Sequence, residues 1–160
     1  MLHSFNWERA VPLPKKLLLG LALWLWVPFA VAQNNLGELL DAGARKLSAE
    51  EFKKELVQHT IVGTTPAGTR IELMYASSGV IQGRSDAGGA AVNVPTMSFI
   101  TPIDGVWNID ESGRICASMV IGRNLLPLRC QSWFKYKEDY FVADSDSDRY
   151  VKVLRRSVKQ

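Results

Sequence analysis

Few residues in this chain could do chemistry. Its 160 residues contain two cysteines and two histidines. Cys116 and Cys130 flank a reversal at Gly122-Arg123-Asn124, in strands of alternating apolar and polar residues. A hairpin turning near Arg123 sets the two cysteines opposite each other, where antiparallel strands bring Cα atoms within disulfide reach. A redox or metal role is the competing reading. The spacing is not CxxC and histidines are scarce, so a structural disulfide is expected and no metal site.

Nucleophilic catalysis has little to work with. His3 falls in the N-terminal apolar region, which leaves His59 near a predicted helix end, and there is no nucleophile elbow. Asp144, Asp146 and Asp148 share the opening spacing of a calcium loop. Arg149 stands where that loop needs Gly and Arg155 where it needs its bidentate acid, so the segment reads as a polar turn. A carboxylate-dependent hydrolase would need two acids, such as Glu72 and Glu138, to converge through the fold. No glycine-rich stretch has the strand-then-helix setting of a phosphate cradle, and no cofactor is expected.

The aromatic residues are the remaining candidates. Alternation puts Trp133 on one strand face with Arg129, Gln131 and Lys135, opposite Phe134. A tryptophan on a polar face can stack on a ligand or partner, or pack between basic stems. Trp133, Arg129, Lys135 and Trp107 are therefore the candidate contact residues for a ligand or partner. The Gly- and Ala-rich stretch Ser85 to Pro95 reads as a loop, either functional or a tolerated insertion.

The N-terminus bears on compartment. Residues 1–32 read as a secretory signal: Arg9, Lys15 and Lys16, then an apolar run of about 15 residues, then Ala30-Val31-Ala32 as a small-x-small cleavage site. The run is short for a span of roughly 20 residues, with an uncleaved anchor as the alternative. Removing three cations and Glu8 lowers the net charge from +3 to +1. That leaves no electrostatic case for nucleic acid. The expectation is a periplasmic or secreted protein that is not integral to a membrane after cleavage.

The elements that must position these residues follow in order. Residues 33–58 are expected to be helical: Asn34 to Leu47, then a helix that Ser48 and Glu51 open with a capping box, with Leu47 and Phe52 as staple, ending near Gln58-His59. Residues 59–156 read as an antiparallel β-domain. Its expected strands are Thr60 to Thr65, Thr69 to Ala76, Val80 to Arg84, Met97 to Thr101, the two hairpins of Gly105 to Tyr136, Tyr140 to Ala143 and Arg149 to Leu154. A basic tail follows, set at 157–160 and beginning in character at Arg155. So many short strands favour a mainly β fold with N-terminal helices, a small barrel of about eight strands, with a β-sandwich as the alternative.

The Ser48-Ala49-Glu50-Glu51 helix start, Gly105-Val106-Trp107, Asp110 to Cys116 (DESGRIC) and the second cysteine Cys130 together resemble a group of small exported proteobacterial proteins of unknown function. The resemblance spans roughly Leu47 to Leu154. It implies export, the disulfide and a β-rich fold, and brings no catalytic residues. Gly-x-Trp is also similar to the lipocalin motif, which opens that barrel, whereas here it lies past the middle of the chain. Exclusion leaves three functions: a non-enzymatic binding module for a small ligand or envelope component, an inhibitor or accessory protein of an envelope enzyme, and the hydrolase.

Overall fold

The computed structural model describes residues 34–87 and 99–159. The expected signal segment and residues 88–95 of the expected loop lie outside these. Among the described residues the chain forms two helices and nine strands: α1 (Leu36–Asp41), β1 (Arg45–Lys46), α2 (Ala49–Glu55), β2 (Thr60–Thr64), β3 (Arg70–Tyr75), β4 (Val80–Ala87), β5 (Phe99–Ile109), β6 (Ile115–Ile121), β7 (Asn124–Tyr136), β8 (Asp139–Ala143) and β9 (Leu154–Val158).

The sheet closes. Its order is β1-β7-β6-β5-β4-β3-β2-β9-β8, and β8 also pairs with β7. Eight antiparallel strands therefore form a barrel and β1 is one extra strand on its wall, which leaves the sandwich alternative unfilled. β7 makes the closure possible through its length. Its first part pairs with β6 as far as Gln131, opposite Ile115. From Ser132, opposite Ala143, its second part pairs with β8. β1 takes the edge that β6 has left, setting Lys46 opposite Phe134.

The two helices cover apolar surface that the barrel leaves exposed. Ser48 and Glu51 form the expected capping box on α2. α2 plugs one end of the barrel, where Leu47, Phe52, Leu56 and Val57 join one core with Ile61, Leu73, Tyr75 and Trp133. Phe52 is the centre of an aromatic cluster, with ring centroids 5.2 Å from Trp133 and 5.6 Å from both Tyr75 and Trp107. α1 lies outside, where Leu36 and Leu39 pack on Phe134, Phe141, Ala143 and Val153. This second core explains why β8 carries buried residues on both faces.

Several expected boundaries are corrected. The first helix stops at Asp41 rather than Leu47, and Gly43 then takes a φ of 97°, which a side chain resists. α2 ends at Glu55, short of Gln58-His59, and Gln58 itself has a positive φ. Ser85, expected in a loop, is a buried residue of β4. Pro102 does not end a strand: β5 runs through it, with Pro102 opposite Arg84. In an extended strand the N and C=O of one residue point the same way. The Pro102 carbonyl meets Gly122 N, past the end of β6, so its missing N–H deprives no ladder partner.

The largest correction is at the C-terminus. Arg149 and Tyr150 form a turn, and the last strand is Leu154–Val158. The expected basic tail is thus the strand that closes the barrel between β2 and β8. A run with three cations looks solvated, but alternation turns Leu154, Arg156 and Val158 inward and Arg155 outward, where it pairs with Asp139 at 2.6 Å.

Candidate functional site

The barrel end opposite α2 holds a cavity of about 720 Å³. Thr65 and Pro66 of the β2–β3 connection and Asp144, Val151 and Lys152 of the β8–β9 connection line it. Ile103, Ala117, Met119, Ile121 and Leu126 form an apolar wall on β5, β6 and β7. Val142 and Leu154 continue it on β8 and β9. The polar lining is sparse: Arg129, Gln131, Asp144, Lys152, Thr65 and Arg156. This is the make-up of a small-molecule site, a concave and mostly apolar space with a few placed polar groups.

Three polar side chains at the rim satisfy one another. Arg129 Nη2 lies 3.2 Å from Asp144 Oδ2, and Gln131 Nε2 donates to Asp144 Oδ1 at 2.8 Å. Arg156 differs. It is 8% exposed, its Nη1 donates to the carbonyls of Thr64 (3.0 Å) and Arg155 (2.9 Å), and among the described residues no carboxylate pairs with it. Burial lowers its pKa, with the neighbouring Tyr75 pulling the other way. Burial in turn pushes the Tyr75 phenol up to about 12, so this neighbour is neutral and supplies no counter-charge.

The four expected contact residues divide between the barrel's two ends. Arg129, Gln131, Trp133 and Lys135 share a face, as strand alternation predicts. That face is the barrel interior rather than a polar exterior, because α1 covers the other side at Phe134. Arg129 lines the cavity. Trp133 is 4% exposed and, with Trp107, packs in the plugged end instead of standing among basic stems. The Trp107 indole N–H donates to the Ala76 carbonyl at 2.9 Å. Lys135 Nζ sits 2.6 Å from Glu55 Oε2, which also accepts from the Tyr140 hydroxyl at 2.8 Å. The Lys135 bond holds Glu55 below the usual carboxylate range, and Glu55 raises Lys135 in return. This trio ties α2 to the barrel.

The other candidate chemistry is absorbed by structure. Cys116 and Cys130 are directly opposed and form a disulfide. Asp110 Oδ2 lies 3.8 Å from Cys116 Sγ, but a bridged sulfur has no proton to give and no thiolate to offer a metal. Asp144 is taken by Arg129 and Gln131, Asp146 by Lys46 at 2.6 Å, and Asp148 accepts from Tyr150 N. Glu72 is held between Arg84 (2.7 Å) and Lys159. Partial burial works upward on its pKa, and these cations outweigh it, so it is lowered. The His59 ring meets the Val57 carbonyl.

Arg156 is the residue that the sequence reading missed. Its signal was a lone cation between Leu154 and Val158 on one apolar strand face. No protein-family model, curated protein or solved structure matched the chain.

Proposed function

We propose that this protein is an exported, periplasmic, non-enzymatic binding module whose barrel holds a small, mostly apolar ligand. The observation that carries this reading is the cavity of about 720 Å³ in a barrel closed at its other end by α2. That volume falls in the range of sites that enclose drug-sized molecules. Export draws its support from residues 1–32 and from the disulfide, a bond that persists in oxidising compartments. Among the described residues no helix is long and apolar enough to cross a membrane. A converging carboxylate pair, which the hydrolase reading needs, draws no support from Glu72, whose partners are cations.

A second reading, an inhibitor or accessory protein of an envelope enzyme, draws on the outer wall. Val80 and Val106 are direct partners across β4 and β5, and Val120 and Leu125 across β6 and β7. All four are exposed, Leu125 by 69%. Native mass spectrometry of protein released gently from its own cell envelope separates the two. A retained small molecule supports the binding module. A stoichiometric envelope enzyme with an empty barrel overturns it in favour of the accessory reading.

A further inference from the structure

The ligand's chemical class follows from one side chain. Arg156 lies on the β2–β9 seam and lines the cavity. The apolar wall of Ile103, Ala117, Met119 and Ile121 belongs to β5 and β6, diametrically across the barrel in strand order. An arginine keeps its charge even when buried, and an uncompensated buried charge is costly. Two of its five N–H donors are used, both on Nη1, by Thr64 and Arg155 carbonyls. The Nε–H and the neighbouring Nη2–H have no protein acceptor among the described residues. These two point in parallel and form the edge that carboxylates and phosphates meet with two oxygens at once. The carboxylates at the two ends of the barrel interior are engaged, Asp144 by Arg129 and Gln131 and Glu55 by Lys135 and Tyr140. The counter-charge for Arg156 is left to the ligand.

We infer that the cavity takes an amphipathic anion, with its carboxylate or phosphate-ester head on the Nε/Nη2 edge of Arg156 and its apolar body against the β5–β6 wall. This inference rests on the binding-module reading and narrows it to one ligand chemistry. The alternative within that reading is a neutral apolar ligand that ignores Arg156.

Isothermal titration of the processed protein, first stripped of lipid, with dodecanoate, dodecyl phosphate and dodecanol tests it. One molecule of an anionic probe should bind about ten- to a hundred-fold more tightly than dodecanol, the range for hydrogen bonds to a charged group. Arg156→Met should erase that preference while leaving dodecanol binding in place. Arg156→Lys, which keeps the charge and loses the fork, should fall between. The ratio of dodecanoate to dodecyl phosphate affinity names the head. Equal binding of the anions and the alcohol, unchanged in Arg156→Met, overturns the head-group assignment and leaves the binding module standing. Failure of folded wild-type protein to bind any of the three overturns both. Circular dichroism of each variant separates lost preference from lost fold.

Discussion

Gly63 stands directly opposite Arg156 across the β2–β9 ladder, and its missing side chain is the space that the arginine occupies. A Cβ on Gly63 would fall 2.5 Å from Nη1 and 2.6 Å from Cδ of Arg156. Both are inside contact distance, and the Arg155 carbonyl lies only 3.0 Å away on the same side. The barrel thus keeps one position empty so that a long cation can lie against its inner wall.

Gly63→Ala should therefore act on two readouts. Overpacking at this site should cost about 1–3 kcal/mol, read as a lower urea midpoint with an unchanged slope. Displacing the guanidinium should also reduce any preference for anionic over neutral ligands. A variant as stable as wild type would show that Arg156 has room to shift and that Gly63 does not set its place.

The plug predicts a larger loss. Phe52 is 1% exposed and touches the rings of Tyr75, Trp107 and Trp133 at the barrel end. Phe52→Ala should destabilise by about 3–5 kcal/mol. Trp107 and Trp133 lie in that cluster, so near-ultraviolet circular dichroism should lose intensity in the folded variant. A loss below about 1 kcal/mol would mean that α2 contributes little to closing the barrel.

The parts of the fold governed by local rules are legible in the sequence. The capping box at Ser48 and Glu51, the reversal at Gly122, and the opposition of Cys116 and Cys130 each depend on residues close in sequence. The long-range parts were not readable. Whether the face of Arg129, Gln131 and Trp133 points into the barrel depends on α1 covering Phe134 from outside, and nothing near Phe134 in sequence announces that. The same holds for Arg155 to Val158. A basic C-terminal run is solvated unless two strands far away leave a gap for it, as β2 and β8 do here. The candidate site was missed for the same reason, because it is made by barrel closure rather than by a motif.

The disulfide makes a separate prediction. Cys116 and Cys130 are 14 residues apart and close one hairpin, so the bridge restricts the unfolded chain. In the chain-entropy model a loop of this size is worth about 3 kcal/mol. Paired guanidinium titrations of the intact protein and the Cys116→Ala/Cys130→Ala variant should differ by about that amount. Free thiols in the native protein, measured by alkylation and intact mass, would remove the bond from the account altogether.

The turn before β6 should give the fold an acid-sensitive element. Asp110 Oδ1 accepts from Ser112 Oγ (2.7 Å), Ser112 N (3.0 Å) and Arg114 N (2.9 Å), while Oδ2 accepts from Arg114 Nε (2.9 Å). These bonds, Ser112's first, hold its pKa down from 3.8 to about 2. A carboxylate depressed in the folded state binds a proton more readily when the chain is unfolded. Its stabilisation is therefore complete above pH 3.8 and is lost as pH falls from there through about 2. Other lowered acids, Glu55 among them, act in the same direction at this pH, so the test is a difference between two proteins. Asp110→Asn should be less stable than wild type at pH 6, and the gap should narrow as pH falls from 4 toward 2. Urea midpoints of both proteins across that range check it. A gap that stays constant down to pH 2 would show that the Asp110 charge does not stabilise the turn.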